Sequence, residues 1–164
     1  MRTSGRLKYM MVAALFPTAL LSASYSGAVQ AQNTDAFLTR YITALNARMP
    51  PSGDPATVAE LFSEDAVQYH IFGEPPGGPQ RGRQALAQFF GGFKESFADW
   101  THIERSRFIK GNSAVWEGTA VGHDKRSGKP LKLPIVFFLQ FNDQGQVRED
   151  RVYVDVDMIG EQLK

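Results

Sequence analysis

One stretch of the sequence constrains the fold more than any other. Large apolar residues occupy every second position from Leu131 to Phe141. Because successive side chains of a β-strand point to opposite faces of a sheet, this alternation predicts a long strand with one continuously apolar face. A second layer must cover that face. A chain of 164 residues, 43% of them hydrophobic, has enough material for one domain with its own core, and no internal repeat or linker divides it.

Further strands are predicted around this one. The patterns indicate an early strand at residues 65–71 and later strands at residues 101–109, 113–123 and 147–156. Turn-forming residues separate the later strands, as in the short loop at Ser127-Gly128. The second half of the chain is therefore predicted to be a meander of antiparallel strands.

Helical spacing is confined to the first hundred residues. A stripe of apolar residues predicts an amphipathic helix over residues 35–48, and Asp54 before Pro55 is typical of the N-cap of a short helix. A second long helix is predicted from Arg83, with an apolar face of Leu86, Phe89, Phe90, Phe93 and Phe97. Prolines and glycines at residues 73–79 indicate a loop. Two or three helices on one side of an antiparallel sheet are typical of the α+β class.

The first 31 residues are predicted to be an export signal. Basic residues at the start precede a mostly apolar stretch at residues 9–21. Small residues then lead to Ala31 in the pattern that signal peptidases cleave, and Ser26 with Ala28 offers a second possible site. The apolar stretch is short and Pro17 interrupts it, which favours removal over retention as a membrane anchor. We therefore expect a mature domain of residues 32–164, without a membrane span, in the periplasm or outside the cell.

Charge and composition argue against several classes of partner. Removal of residues 1–31 takes away three basic groups and leaves 15 Lys and Arg against 17 Asp and Glu, with no basic cluster for a phosphate backbone. Nucleic acid is therefore not an expected partner. The chain has no cysteine, its three histidines lack metal-ligand spacing, and its glycine pairs match no nucleotide-binding motif. Neither a metal nor another cofactor is predicted.

Four stretches, in their order and spacing, resemble a known family. They are Arg40-Tyr41-Ile42 with Ala44-Leu45, residues 61–67, residues 72–76 leading to Arg83, and residues 134–145. Over nearly all of the mature chain the sequence resembles the nuclear-transport-factor-2-like or SnoaL-like domains, and among them the ketosteroid isomerases. The resemblance implies a cone-shaped α+β fold, in which about three helices pack on a curved, mostly antiparallel sheet around a pocket for a small hydrophobic molecule. It also implies a homodimer.

The resemblance carries expectations for individual residues. The ketosteroid isomerases move a proton beside a ketone, using a carboxylate base and two hydrogen-bond donors that stabilise the enolate oxygen. Tyr41 matches the principal donor tyrosine. His70 stands where these isomerases have the aspartate base, and an imidazole is a competent base at neutral pH. Phe137 stands in the place of the second donor, so that contact is expected to be missing.

Several of these assignments stay open at the level of sequence. On the early strand the more apolar face carries Tyr69 rather than His70, so each is a candidate for the interior. Tyr41 equally fits a core tyrosine whose hydroxyl bonds to backbone. Asp155 on the final strand is a second candidate base, because some relatives use an acid there. However, it alternates with the valines of that strand and is also typical of a surface ion pair.

Two hypotheses follow for the function. The first is an exported, cofactor-independent enzyme of the isomerase type, or a related cyclase or lyase, that transfers a proton on a small hydrophobic carbonyl compound with His70 as base and Tyr41 as donor. The second is a non-catalytic domain of the same fold that binds a small ligand or a partner. Both predict an apolar pocket, whose expected lining residues are Tyr69, Phe90, Trp116, Phe137 and Val154.

Overall fold

The computed structural model describes residues 19–71 and 78–164. In chain order their elements are α1 (Ala19–Arg48), a 3₁₀ helix (Pro55–Leu61), β1 (Phe62–His70), β2 (Gln80–Arg81), α2 (Gly82–Gly91), α3 (Phe93–Ser96), β3 (Phe97–Lys110), β4 (Ser113–Asp124), β5 (Pro130–Phe141), β6 (Val147–Val154) and α4 (Asp157–Leu163). The start of the predicted export signal and most of the predicted loop at residues 73–79 lie outside the described residues.

The six strands form one sheet in the order β2-β1-β6-β5-β4-β3. Neighbouring strands are antiparallel except β1 and β6, which are parallel. The alternation that predicted β5 is confirmed, since the odd-numbered residues from Leu131 to Phe141 are buried and the even-numbered ones are not. The α+β class predicted from the sequence is therefore confirmed, and the buried side of β5 forms the middle of the inner sheet face.

The helix α1 begins at Ala19, well before the predicted start at residue 35. The segment between them is rich in alanine and has no proline, so no residue in it forces a helix to end. Thr34 is buried, and its hydroxyl donates to the carbonyl of Gly111 at 2.7 Å. The helix thus contacts the β3–β4 turn. The predicted cleavage site after Ala31 lies within this helix, and cleavage there stays a prediction.

Glycine divides the second predicted long helix. The α2 helix ends at Gly91, the short α3 follows Gly92, and Phe97 is the first residue of β3. Glycine is among the poorest helix formers, so the Gly91-Gly92 pair outweighs the apolar spacing that predicted one continuous helix. The two-residue β2 and the seven-residue α4 were not predicted, because elements this short carry too few residues for a periodic pattern.

The N-terminus of the 3₁₀ helix follows its sequence signature. The Asp54 carboxylate accepts a hydrogen bond from the backbone N–H of Ala56 at 3.3 Å, and Pro55 begins the helix, so the predicted N-cap is confirmed. This helix and α2 pack against each other, and both border the same core as α1 and the inner sheet face. In the part of the chain that the structure describes, no helix has the length and hydropathy needed to cross a membrane.

Candidate active site

A cavity of about 450 Å³ opens between the helices and the inner face of the sheet. Side chains from α1, α2, α3 and four strands line it, together with Val156 and Ile159 at the C-terminal end. Most of the lining is aromatic or aliphatic. Its polar members are Tyr41, Gln68, His70 and His102. A mostly apolar cavity with a few convergent polar groups is the usual form of a small-molecule site.

His70 reaches this cavity from the last residue of β1. Ala66, Gln68 and His70 are the buried residues of alternate positions on that strand, so the inner face carries His70 and not Tyr69. The imidazole is 8% exposed, and its ring centroid lies 4.8 Å from that of Phe89. Burial lowers the pKa of His70 below its ordinary value of 6.5. The ring is therefore neutral at neutral pH and able to accept a proton.

Gln68 joins His70 to a buried carboxyl group. Gln68 and Asp150 are paired across the parallel strands β1 and β6, and the Gln68 amide Nε2 donates to Asp150 Oδ2 at 2.8 Å. The other end of the amide, Oε1, lies 3.4 Å from Nε2 of His70. Asp150 is 0% exposed, and burial raises its pKa to about 7, although the hydrogen bond from Gln68 opposes this shift. Among the described residues, Asp150 Oδ1 has no hydrogen-bond partner.

Tyr41 enters the cavity from the buried stripe of α1. Its ring lies edge-on to Phe62, Phe137 and Phe141, with centroid distances of 6.0, 6.5 and 6.5 Å. Burial, and to a lesser degree the charge of Asp150, raises the pKa of the phenol well above its ordinary value. Tyr41 therefore keeps its proton and is a hydrogen-bond donor. No other described residue forms a hydrogen bond with its hydroxyl, which leaves that donor free for a ligand.

His102 also lines the cavity, although no sequence pattern singled it out. The ring is 6% exposed, and burial lowers its pKa to about 4. Both ring nitrogens have partners: Nδ1 lies 3.0 Å from Asn46 Oδ1, and Nε2 accepts from the indole N–H of Trp100 at 3.3 Å. Asn46 comes from α1 and is far from His102 in sequence, so only the folded chain brings these groups together.

The cavity does not include every residue expected to line it. Phe90, Phe137 and Val154 do line it, whereas Tyr69 and Trp116 do not. Tyr69 lies on the outer sheet face, because strand alternation places it opposite His70, and the Arg151 guanidinium lies 5.6 Å from the centre of its ring. Trp116 is fully buried on the inner sheet face beside Phe137, on whose ring it stacks at a centroid distance of 5.3 Å, and it does not border the cavity.

Asp155, the second candidate base, lies away from the cavity. It follows the last residue of β6 and is exposed. Its carboxylate accepts a hydrogen bond from the backbone N–H of Asp157, at 3.0 Å, at the start of α4. The acid that the fold buries near the cavity is instead Asp150, which the sequence did not single out. Within the described residues, no group of three or more histidines and acidic residues is placed to hold a metal ion.

Comparison with protein families agrees with this fold. The model of the SnoaL-like domain matches residues 38–150, which is more than half of the chain. The chain belongs to the SnoaL-like family. The matched region of this SnoaL-like domain begins in α1 and ends at Asp150, so it contains Tyr41, Gln68, His70 and His102. A search of curated proteins gives no significant match.

Solved structures share the fold of this SnoaL-like domain at low sequence identity. A phenazine biosynthesis-related protein from Pseudomonas aeruginosa is 18% identical, with a TM-score of 0.68 over 85% of this chain and 90% of that one. A putative SnoaL-like polyketide cyclase from Jannaschia sp. CCS1 is 15% identical, with a TM-score of 0.67 over 81% and 92%. A hypothetical protein with a ketosteroid isomerase-like fold from Catenulispora acidiphila DSM 44928, in complex with trimethylamine, is 17% identical, with a TM-score of 0.64 over 74% and 90%.

Proposed function

We propose that this SnoaL-like domain is a cofactor-independent enzyme that moves a proton beside the carbonyl group of a small hydrophobic compound. His70 is the general base and Tyr41 is the donor to the developing oxyanion. The observation that carries this proposal is that a neutral imidazole and a free phenol line one apolar cavity of about 450 Å³. The family match and the structural relatives support a role in small-molecule chemistry.

The reaction needs only these two side chains. His70 removes a proton from the carbon next to the carbonyl, which gives an enolate and an imidazolium. The Tyr41 hydroxyl donates a hydrogen bond to the enolate oxygen, where a donor in a site of low dielectric is worth more than in water. The imidazolium then returns the proton to another carbon of the conjugated system. The product is an isomer of the substrate, and the imidazole is neutral again.

The oxyanion site has a single donor in this chain. Phe137, which matches the place of the second donor in the ketosteroid isomerases, presents only its ring to the cavity. The two nitrogens of His102 are occupied by Asn46 and Trp100. Because loss of one such donor costs on the order of 10²–10³ in rate, we expect modest turnover or a substrate whose proton is already acidic.

The test is turnover of a cyclic β,γ-unsaturated ketone, followed by the absorbance of the conjugated enone. Tyr41→Phe is expected to lower kcat by about 10²-fold or more, and His70→Ala by a similar factor. Tyr69→Phe and His123→Ala are the matched controls, since both residues lie outside the cavity. Unchanged rates in Tyr41→Phe and His70→Ala, with folding intact, would remove the mechanism.

The missing second donor favours one alternative, a domain that binds a small apolar ligand without turnover. This alternative predicts saturable binding in the cavity and no product. Incubation of the protein and of the Tyr41→Phe/His70→Ala double variant with a metabolite mixture, followed by mass spectrometry, separates the two. A compound that is consumed only by the unaltered protein supports the enzyme, whereas one that is retained unchanged by both supports the binding domain.

We also propose that the chain forms a homodimer through its outer sheet face. Phe108, Val115, Phe138, Arg151 and Tyr69 are successive cross-strand neighbours from β3 to β1. Phe108 is 68% exposed and borders one surface groove with Val115 and Phe138, and a contiguous exposed apolar patch is typical of an interaction surface. Light scattering should give the mass of a dimer. Phe108→Asp should weaken it, whereas Gln144→Asp in the exposed β5–β6 turn should not.

Export is proposed on the sequence of residues 1–31. Signal-peptidase cleavage after Ala31 would give a mature chain that begins at Gln32. N-terminal sequencing of the protein recovered from the periplasm or the medium tests this directly. Recovery of the whole chain from the cytoplasm alone would contradict it.

A further inference from the structure

We propose that Asp150, acting through Gln68, fixes the tautomer of His70 so that Nε2 carries the proton and Nδ1 is the nitrogen that receives the substrate proton. Asp150 and Gln68 are then positioning residues. This inference rests on the proposed proton transfer for its catalytic meaning. The tautomer itself is a property of the protein without substrate. An experiment can therefore contradict the inferred tautomer without contradicting the proposed proton transfer, and the reverse.

The hydrogen bonds that join His70, Gln68 and Asp150 can have only one arrangement of donors and acceptors. An ionised carboxylate can only accept, so the Asp150 contact at 2.8 Å requires the amide NH₂ of Gln68 on that side. The carbonyl Oε1 of Gln68 must then face His70, at 3.4 Å from Nε2. A carbonyl oxygen also only accepts, so Nε2 must supply the hydrogen. A neutral imidazole has one N–H, and Nδ1 is therefore unprotonated.

The buried surroundings of Asp150 stabilise this orientation of the Gln68 amide. A flipped Gln68 amide would place its oxygen against the carboxylate of Asp150, which is 0% exposed and is reached by no solvent. That contact would leave a second buried oxygen unpaired and would bring two acceptors together, which costs free energy. Among the described residues, Gln68 is the only hydrogen-bond partner of the Asp150 carboxylate. The carboxylate therefore determines which way the amide lies.

The position of the two strands makes the arrangement rigid. Gln68 and Asp150 are direct neighbours in the parallel β1–β6 register, and His70 follows Gln68 on the same face of β1. The Phe89 ring packs against the imidazole on the side of α2. In the described part of the chain, Nδ1 of His70 has no hydrogen-bond partner, whereas both nitrogens of His102 do. Of the two cavity histidines, only His70 thus offers a free nitrogen.

Nitrogen-15 NMR of the histidine side chains tests the tautomer without any substrate. In the unaltered protein at pH 8.5, where Asp150 is ionised, His70 should show a protonated Nε2 and an unprotonated Nδ1. Gln68→Met keeps the length of the side chain and removes the acceptor, so the two nitrogen shifts should move toward population-weighted averages. Asp150→Asn should move them in the same direction, since an asparagine also donates and no longer dictates the amide orientation. Asp143→Asn, in the exposed β5–β6 turn, is the control.

Kinetics then relate the tautomer to turnover. For a substrate that the unaltered protein converts, Gln68→Met should lower kcat about tenfold and change KM less than about twofold, because the base loses its fixed orientation and tautomer. A His70 that is protonated on Nδ1, or shifts that are the same in the unaltered protein, Gln68→Met and Asp150→Asn, would overturn the inference. A fixed Nε2–H tautomer in a protein without turnover would sustain it and instead count against the proposed function.

Discussion

The indole N–H of Trp100 donates to Nε2 of His102 at 3.3 Å, and this contact determines the proton position on a buried imidazole. Because Nε2 is an acceptor there, the single proton of the neutral ring lies on Nδ1, which donates to Asn46 Oδ1 at 3.0 Å. The Asn46 amide also exchanges two hydrogen bonds with the backbone of His102, each at 2.9 Å. His102 thus ties α1 to β3.

His102 should destabilise the protein in acid. Its pKa is about 4 in the folded chain and 6.5 as the ordinary value, so between these limits the unfolded chain binds the proton and the folded chain does not. The free energy of unfolding should therefore fall by up to about 3 kcal/mol as the pH decreases from about 6.5 to 4. Urea unfolding across this range measures the loss. In an NMR titration His102 should stay neutral at pH 5, and a His102 that titrates near pH 6.5 would contradict the prediction.

Asp150 should have the opposite dependence on pH. Burial raises its pKa to about 7 from 3.8, so the folded chain binds the proton more tightly than the unfolded chain. The contribution of this bound proton to the free energy of unfolding is present at low pH and is lost as the pH rises through 7. The groups that face the carboxyl, Gln68 and Tyr41, are uncharged in this range. Asp150→Asn should therefore raise the free energy of unfolding by up to about 4 kcal/mol at pH 8 and by little at pH 4.

Urea unfolding of the unaltered protein and of Asp150→Asn at the two pH values makes the comparison. Asp143→Asn serves as the exposed control and should show no such difference. Equal stability of Asp150→Asn and the unaltered protein at pH 8 would show that the carboxyl carries no buried charge there.

Gly118 should be required for the packing beneath the cavity. A Cβ at this position on β4 would lie 2.2 Å from the Trp116 ring and 2.3 Å from the carbonyl oxygen of Ile103. Gly118→Ala should therefore displace Trp116, on which Phe137 stacks, and lower the free energy of unfolding by about 1–3 kcal/mol. Gly160→Ala in α4 is the matched control, since nothing lies within 4 Å of the added atom. That substitution should be neutral or stabilise by up to about 1 kcal/mol.

Gln162 should hold the C-terminal helix over the cavity. Its amide accepts from the backbone N–H of Lys132 at 2.8 Å and donates to the carbonyl of Lys132 at 3.0 Å, so it pairs with β5 as a neighbouring strand would. Ile159 of the same helix lines the cavity. Gln162→Ala should cost about 1–2 kcal/mol locally and speed hydrogen exchange of the Lys132 amide. Exchange at Trp116, in the middle of β4, should not change.

Most of the sheet could be predicted from the sequence, whereas little of the site could. The alternation of β5, the N-cap at Asp54 and the four-stranded meander from β3 to β6 are local patterns, and each appears in the structure as predicted. The division of the second helix at Gly91-Gly92 shows where two local signals competed, because apolar spacing favoured continuity and glycine opposed it. Helix propensity decided that case.

Tyr41 and His70, the two site residues taken from the family resemblance, line one cavity. Strand parity alone favoured Tyr69 over His70. Parity was misleading because a site strand buries polar side chains: the inner face of β1 carries Gln68 and His70, and hydrophobicity cannot identify such a face. Asp150 and His102 were missed for the same reason. Asp150 bonds to Gln68, 82 residues away, and His102 bonds to Asn46, 56 residues away, and no spacing rule joins residues so far apart in the chain.

The amino-acid sequence by itself determined the α+β class, the order of the main elements and the apolar face that the helices cover. These depend on periodicity and on turn residues, which act between near neighbours. Only the tertiary structure decided which polar groups meet: Gln68 with Asp150, Asn46 with His102, and Tyr41 and His70 in one cavity. Hydrogen bonding and burial act between whichever groups the folded chain brings together, so the chemistry of the site depends on how the sheet and helices pack.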